Sequence, residues 1–306
     1  MTSATPEHDT APVGPALPPS RMVELADRAP VWVYEVAGPP GAPVVMLLHG
    51  LGASAALNWF PAFDVLGAHF RVIAPDLRGH GRTPPGPGPF TLVGCADDVV
   101  AIADALGVPR FIAVGYSMGG PIAQLIWHRH PERVAGLVLA ATSRDFGGRM
   151  LDRLAFHALP LAIAASRLPG SSAVHELVLT MLAPRFGSKA MGRWAFEELH
   201  RSAPRSILEA AGELGRFSSR GWIGDVDVPT SVIVAVNDQL VPARRQLKLA
   251  RAIPRAVATF VNGDHYTAGS QPEEFARVLL HECISVARRA ETMTDAEPAF
   301  WEMRTS

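Results

Sequence analysis

The sequence predicts an α/β fold with a mostly parallel, twisted sheet, helices on both faces of the sheet and one inserted helical segment. Short runs rich in β-branched residues alternate along the chain with helical patterns, as they do when parallel strands are joined by helices. Several of these runs are almost continuously apolar, which is typical of strands that are covered on both faces. The two observations together predict a mostly parallel sheet.

The predicted strands are short apolar runs at residues 31–37, 44–50, 70–76, 111–117, 134–142, 230–238 and 256–263. Helical patterns occupy residues 91–106, 119–130, 242–252 and 272–289. The last helix opens on Pro272, which suits a first helical position because proline lacks an N–H there. It places one apolar stripe on a single face, which we expect to pack against the core: Phe275, Val278, Leu279, Cys283 and Val286.

The 306 residues divide into a core, an insertion and two end segments. Residues 1–20 lack an apolar block behind a basic start, so they predict a disordered leader and not a secretory signal. Residues 21–142 and 223–290 form the core. Residues 143–222 are rich in Ala, Leu and Arg and are too long for a plain loop, so they predict a helical cap. The polar tail, residues 291–306, is either disordered or docked.

Composition excludes several function classes. Twenty-eight basic and 29 acidic residues give a net charge of −1, and no basic stripe predicts a nucleic-acid surface. No stretch reaches the roughly 20 apolar residues that cross a bilayer, so no transmembrane segment is predicted. Only Cys95 and Cys283 are present, far apart, which suits a reducing compartment. We therefore expect a cytoplasmic protein; the sequence makes no prediction of its oligomeric state.

Motifs for metals and redox cofactors are missing from the sequence. No HExxH or similar spacing of ligands is present, so no metal is predicted. No GxGxxG opens a helix after a strand, so no nicotinamide or flavin cofactor is predicted either. Any chemistry is expected to come from side chains alone.

The segment 111–127, FIAVGYSMGGPIAQLIW, contains the strongest chemical signal. An apolar strand runs into Gly115-Tyr116-Ser117-Met118-Gly119, and a helical pattern follows at once. G-x-S-x-G in this context predicts a tight turn that exposes the serine hydroxyl beside a helix N-terminus. Twenty-seven glycines make a chance match conceivable, and the flanking strand and helix are what favour Ser117 as a nucleophile.

A serine nucleophile needs a base and an acid that orients the base. Asp238 ends the strand pattern at 230–238, and His265 follows the one at 256–263. Both are expected at the carboxyl edge of the sheet, where Ser117 also lies. Two alternatives stay open for the acid: Asp238 could simply cap helix 242–252, and Asp145 could act in its place. The expected order along the chain is serine, then acid, then histidine. Among the 11 histidines, only His265 follows both Ser117 and Asp238 at the end of a strand pattern.

The whole set of motifs resembles the α/β-hydrolase superfamily, in particular its cap-bearing esterases, lipases and C–C hydrolases. The matching pieces span most of residues 31–289 and are HGLG (49–52), DLRGHGRT (76–83), GYSMGG (115–120), NDQLVP (237–242) and GDH (263–265). The resemblance implies the α/β-hydrolase fold with Ser117 as nucleophile, Asp238 as acid and His265 as base. It also implies an oxyanion hole formed by the backbone N–H groups of Leu51 and Met118.

The resulting hypothesis is a serine hydrolase that cleaves a small or medium hydrophobic carboxylic ester through an acyl-enzyme, without cofactor. Arg193 and Trp194 resemble cap residues of C–C bond hydrolases, so cleavage of a β-diketone-like ring-cleavage product is one alternative. A cofactor-free perhydrolase or acyltransferase is a second, because it would use the same acyl-enzyme. A non-catalytic ligand receptor on the same fold is an alternative of another class.

Overall fold

An eight-stranded sheet lies at the centre of the protein in a computed structural model, which describes residues 14–146 and 183–302. Its strands are β1 (Ser20–Leu25), β2 (Arg28–Val36), β3 (Val44–Leu48), β4 (Arg71–Pro75), β5 (Phe111–Tyr116), β6 (Val134–Ala140), β7 (Thr230–Ala235) and β8 (Val257–Val261). The spatial order is β1-β2-β4-β3-β5-β6-β7-β8. The pairs β1–β2 and β2–β4 are antiparallel, and every later pair is parallel.

All seven predicted strands are confirmed, most of them with shorter ends than expected. Strand β1 was not predicted. It lies at the edge of the sheet, and within it only Val23 and Leu25 are buried, so its apolar signal is short and mixed with charge. The predicted fold class, a mostly parallel sheet, is confirmed with an antiparallel edge.

Helices cover both faces of the sheet, as predicted. The described helices, of which α5 and α6 belong to the predicted cap, are α1 (Ala55–Trp59), α2 (Phe63–Gly67), α3 (Leu92–Ala105), α4 (Gly119–Arg129), α5 (Lys189–Arg201), α6 (Pro204–Arg216), α7 (Ala243–Ala252), α8 (Thr267–Ser270) and α9 (Pro272–Glu302). Alternate residues of β3 enter two different apolar clusters, Met46 and Leu48 in one and Val45 and Leu47 in the other. Successive strand side chains point to opposite faces, so each cluster fills one side of the sheet.

The four predicted helices correspond to α3, α4, α7 and α9, and the predicted apolar face of α9 is buried in one of these clusters. The short helices α1, α2 and α8 were not predicted, because four or five residues are too few for a helical period to show. None of the described helices is long and apolar enough to traverse a bilayer.

Both end segments differ from expectation where the structure describes them. The predicted disordered leader is packed over residues 14–19: Leu17 lies partly buried against the core, and Pro19 accepts a 2.9 Å hydrogen bond from the Glu35 backbone N–H. Residues 1–13 lie outside the described residues. Helix α9 continues through Glu302, so it includes most of the predicted tail, 291–306. Glu, Ala and Met are good helix formers and sustain the helix beyond its core-facing part.

The described part of the predicted cap consists of residues 143–146 and 183–222, and its main elements are α5 and α6. Asp145 and Ser218 form an isolated antiparallel bridge, which joins the start of this segment to its end. The rest of the predicted cap, residues 147–182, lies outside the described residues.

Candidate active site

Ser117 occupies a strained turn between β5 and α4. Its φ is +50°, a left-handed conformation that is rare for a residue with a side chain. The turn is possible because glycines flank it. A Cβ on Gly115 would come within 2.3 Å of the Gly119 carbonyl oxygen, and one on Gly119 within 2.0 Å of the Leu48 carbonyl oxygen. Both approaches are far too close, so each of these two positions requires glycine.

Neighbouring groups hold the backbone of Ser117 in this turn. Its N–H donates to the Ala140 carbonyl at 3.0 Å, which extends the pairing of β5 with β6 by one residue. Its carbonyl accepts from the Thr142 hydroxyl at 2.7 Å and from the Gly120 N–H at 3.0 Å. These hydrogen bonds offset part of the strain and fix the direction of the side chain.

The three residues that the sequence singled out lie together at the carboxyl edge of the sheet. The Ser117 hydroxyl is 2.9 Å from Nε2 of His265, and Nδ1 of His265 is 2.7 Å from Oδ2 of Asp238. With the proton on Nδ1, the imidazole donates to the carboxylate and accepts from the hydroxyl. All three are at least nine-tenths buried.

Asp238 accepts hydrogen bonds on both carboxylate oxygens. Oδ1 accepts from the backbone N–H groups of Leu240 and Val241, each at 2.8 Å. Oδ2 accepts from His265 and from the Gln246 amide at 3.1 Å. All four of these partners can donate, so together they fix the orientation of the carboxylate. Asp238 therefore caps the turn before α7 and also contacts the imidazole, so the two sequence interpretations are compatible.

The other acidic candidates lie elsewhere. Asp145 accepts a 3.0 Å hydrogen bond from Arg220, so its carboxylate is engaged at the base of the cap. Asp264 accepts from the Tyr266 N–H at 2.8 Å and shapes the turn that carries His265. Both observations leave Asp238 as the carboxylate that contacts the imidazole.

The two cap residues that suggested a C–C hydrolase both lie on α5. Arg193 is exposed on α5. Trp194 is buried against Phe60, with ring centroids 5.3 Å apart in an edge-to-face arrangement. Its indole also packs on Gly14, where a Cβ would come within 2.6 Å of it. Trp194 is thus a packing residue between the cap and the leader.

The loop between β3 and α1 faces Ser117. The position that a Cβ on Gly50 would occupy is 3.4 Å from the Ser117 Cβ and 3.5 Å from Oδ1 of Asn58. That same Asn58 oxygen accepts from the Gly50 N–H at 2.9 Å. Among the described residues, the N–H groups of Leu51 and Met118 donate to no protein acceptor. The two N–H groups assigned to the oxyanion hole therefore remain available to a ligand.

A buried histidine braces this loop. Nδ1 of His49 donates to the Gly50 carbonyl at 2.8 Å, and its Nε2 accepts from the Leu77 N–H at 2.9 Å. Burial lowers the pKa of His49 to about 3, with a smaller contribution from His80. Burial also lowers the pKa of His80, to about 4. Both imidazoles are therefore neutral at neutral pH and serve as hydrogen-bonding groups.

Three supporting residues, Asn58, Tyr116 and Thr142, were not singled out from the sequence. Asn58 fixes Gly50, and the phenol of Tyr116 contacts the His265 backbone at 2.7 Å. For Asn58 a signal existed, because it is the one polar residue in the otherwise apolar helix ALNW. Thr142 carries no such signal, since a threonine after a strand is common.

Potential metal ligands and thiols are the other reactive groups in the described part of the chain. No group of three or more His, Cys, Asp or Glu side chains there is arranged to hold a metal ion. Cys95 and Cys283 are both buried free thiols, and burial raises the pKa of each. A buried thiol with a raised pKa is a poor nucleophile.

Comparisons with known proteins identify the fold family of the chain. Residues 43–270 match a family model described as alpha/beta hydrolase fold. The chain is 30% identical over 251 residues to a protein of Agrobacterium fabrum provisionally named carbamate hydrolase RutD, covering 78% of this chain and 92% of that protein. A protein of the same name from Variovorax paradoxus is 31% identical over 260 residues, or 81% and 94% of the two chains.

Solved structures show the same fold. A hydrolase from Pseudomonas aeruginosa PA01 matches with a TM-score of 0.73 and 24% identity, over 86% of this chain and 97% of the other. A thermophilic esterase from Thermogutta terrifontis matches with a TM-score of 0.71 and 22% identity, over 88% and 99% of the two chains. At these identities the likeness concerns the fold.

Proposed function

The chain belongs to the α/β-hydrolase fold family, and from that premise we propose that it is a serine hydrolase that cleaves carboxylic esters through an acyl-enzyme. One observation carries the proposal. The hydroxyl of Ser117, the imidazole of His265 and the carboxylate of Asp238 form a continuous hydrogen-bonded chain with contacts of 2.9 and 2.7 Å. Such a chain lets a weak alcohol nucleophile lose its proton as it attacks.

In the first half-reaction, Oγ of Ser117 attacks the ester carbonyl carbon while its proton passes to Nε2 of His265. Asp238 stabilises the imidazolium that results and keeps its Nδ1 proton in place. The tetrahedral intermediate then collapses, the C–O bond of the ester breaks, and the imidazolium protonates the departing alcohol. The product of this half is an ester of Ser117.

In the second half-reaction, water attacks the acyl group while His265 accepts one of the water protons. Collapse of the second tetrahedral intermediate returns that proton to Ser117 and releases the carboxylic acid. In both halves a negative charge develops on the former carbonyl oxygen. The N–H groups of Leu51 and Met118 are the proposed donors to it. Met118 is the N-cap of α4, where the helix dipole adds a partial positive charge.

The proposed substrate is a small or medium hydrophobic ester. Residues 151–182 of the predicted cap are rich in leucine and other apolar residues, which supports an apolar acyl group. The C–C hydrolase alternative loses its specific support, since Arg193 is exposed and Trp194 packs against Phe60. The two buried free thiols fit a reducing compartment, so we place the enzyme in the cytoplasm.

Carbamate hydrolysis is a second candidate, favoured by relatives that share about 30% of their residues with this chain and are provisionally named for that activity. Acyl transfer from a carbamate would use the same nucleophile, base and oxyanion donors. The two candidates differ in the group attached to the carbonyl carbon, and a nitrogen there makes the carbonyl less electrophilic than in an ester.

The test is a substrate panel with three proteins. Wild type, Ser117→Ala and His265→Ala are assayed on p-nitrophenyl esters of graded acyl length, a p-nitrophenyl carbamate and a ring-cleavage β-diketone. We expect turnover of the esters, with both substitutions lowering kcat by roughly 10³-fold or more. Product analysis with water, peroxide and alcohol as acceptors distinguishes hydrolase from perhydrolase and acyltransferase.

A fluorophosphonate probe supplies the control for the receptor alternative. It should label wild type and fail to label Ser117→Ala, with circular dichroism showing that both are folded. Folded wild-type protein that neither reacts with the probe nor cleaves any member of the panel would contradict the proposal. Turnover of the carbamate with no ester turnover would replace the leading candidate with the second.

A further inference from the structure

Two buried carboxylates hold the N-terminus of α1, and one of them belongs to the cap. From the core, Oδ1 of Asp76 accepts from the Ala55 N–H at 2.7 Å. From α5, Oε2 of Glu198 accepts from the Ser54 hydroxyl at 2.6 Å. Ser54 is the N-cap of α1, and its Oγ also accepts from the Leu57 N–H at 3.0 Å. Glu198 thus acts on the residue that ends the loop carrying Leu51.

A second contact ties the end of α5 to the same loop. Ser202 directly follows this helix, and its hydroxyl donates to the Gly52 carbonyl at 3.3 Å. The same hydroxyl accepts from the Gly81 N–H at 3.0 Å. The loop between β3 and α1 is therefore held at two points by the cap and, through Gly50, by His49 and Asn58 of the core.

Attachment of the cap alone does not explain a carboxylate at this position. Trp194 and Leu199 already bury one face of α5 in the core cluster. Glu198 is only 2% exposed, and removing a carboxylate from water costs several kcal/mol, which hydrogen bonds from Ser54 and from Nε of Arg201 at 2.9 Å must offset. What the carboxylate adds is a defined position for the Ser54 hydroxyl.

We propose that Glu198 is a positioning residue that, through Ser54, holds the Leu51 N–H where the oxyanion develops. The inference rests on the proposed acyl-enzyme function. Donors of this kind work only when they point at the position of the transition-state oxygen, within about half an ångström of the productive geometry. Part of the cap is then a component of the oxyanion hole.

The test compares Glu198→Leu, which removes the acceptor, with Glu198→Gln, whose amide oxygen can still accept from Ser54. For Glu198→Leu we expect kcat on the best ester to fall roughly 10- to 100-fold, less than the 10²–10³-fold typical of losing an oxyanion donor outright, with KM within about threefold. Affinity for a trifluoromethyl ketone that carries the same acyl group should fall by a similar factor. Affinity for the matching methyl ketone, which forms little oxyanion, should hold. Glu198→Gln should keep most of the wild-type kcat.

Glu197→Leu is the matched control, since Glu197 is exposed on the same helix. It should leave kcat and the affinity for the trifluoromethyl ketone unchanged. Unchanged kcat and ketone affinity in Glu198→Leu, or equal losses for the two ketones, would overturn the inference. Should Glu198→Leu fail to fold, Glu198→Asp replaces it, because the shorter side chain moves the carboxylate away from Ser54 by one methylene. The same losses of kcat and of trifluoromethyl ketone affinity are then expected. Failure of the serine hydrolase proposal itself would be recognised separately, because Ser117→Ala would then be as active as wild type.

Discussion

The hydroxyl of Tyr116 donates a 2.7 Å hydrogen bond to the backbone carbonyl of His265, 149 residues further along the chain. Tyr116 immediately precedes Ser117, so one side chain links the serine turn to the loop that carries His265. Burial, followed by the charge of Asp238, raises the pKa of this phenol well above its usual value. The hydroxyl is therefore protonated throughout the working range of pH and remains a donor.

Tyr116→Phe should weaken the enzyme in both stability and turnover. The substitution leaves a buried carbonyl without its partner, which costs about 1–3 kcal/mol. We expect kcat to fall roughly tenfold, because a loosened loop places the imidazole less well against Ser117. Urea unfolding and steady-state kinetics measure the two effects. Wild-type values for both would show that the 2.7 Å contact does not position His265.

Asp238→Asn should lower kcat by roughly 10⁴-fold while the fold persists. All four groups that approach the Asp238 carboxylate are donors, so an amide would direct its own N–H₂ at a donor in either orientation. The imidazole would then lose the acceptor that fixes its tautomer. Steady-state kinetics on the best ester provides the measurement.

Two neighbouring substitutions serve as controls for that experiment. Asp264→Asn changes the carboxyl beside His265, and Asp145→Asn changes the alternative acid that the sequence left open. Both carboxyls lie outside the hydrogen-bonded chain and should affect kcat by only a few-fold. A loss of 10³-fold or more in Asp145→Asn, with Asp238→Asn active, would reverse the assignment of the acid.

The position of a residue in the fold was predictable from the sequence where a local pattern coincides with the tertiary structure. The strand–turn–helix around Ser117 has a distinctive sequence motif, because a Cβ at position 115 or 119 would clash with the backbone and both positions therefore require glycine. Asp238 and His265 follow strands whose apolar runs are easily recognised, and parallel topology brings such strand ends to one edge.

Features that depend on packing between distant segments were not predictable in this way. In the helix sequence KAMGRWAFEELHR, nothing distinguishes Glu198 from the other charged residues. Its partner Ser54 is 144 residues away in the sequence. A partial signal existed, because Glu198 lies four residues after Trp194 and so shares its buried face. Strand β1 was missed for a related reason, since its pairing with β2 compensates for a weak pattern of its own.

Gly119→Ala should destabilise the fold by at least about 2 kcal/mol and abolish activity. The added Cβ would meet the backbone oxygen of Leu48 at 2.0 Å, and backbone cannot move aside cheaply. Gly212→Ala, in the interior of α6, is the matched control: outside the adjoining helix backbone, its new Cβ would lie no closer than 3.6 Å to any atom. It should stabilise the protein by about 0.5–1 kcal/mol. Equal effects of the two in urea unfolding would contradict the assigned role of Gly119.

The buried histidines predict how stability responds to acid. The pKa of His49 is lowered to about 3 and that of His80 to about 4, so below pH 6.5 the unfolded chain binds protons that the folded chain does not. Folded stability therefore falls on acidification, by about 1.4 kcal/mol per pH unit for each histidine. Asp76 offsets the effect of one histidine on the unfolding free energy. Burial raises the pKa of Asp76 to about 7, so between pH 7 and 4 the folded chain holds a proton that the unfolded chain loses.

These three groups together should make the unfolding free energy fall with a slope of roughly one proton between pH 6 and 4.5. His80→Phe removes one histidine and keeps the ring packing against Phe90, whose centroid lies 5.6 Å away. Its slope should be smaller than that of wild type by about one proton. Urea unfolding at half-unit pH intervals measures both slopes, with the exposed His69→Gln as control. If His80→Phe keeps the wild-type slope, the folded protein must already protonate His80 at mild pH. In that case the neutral imidazole pair behind the Gly50 loop would not exist.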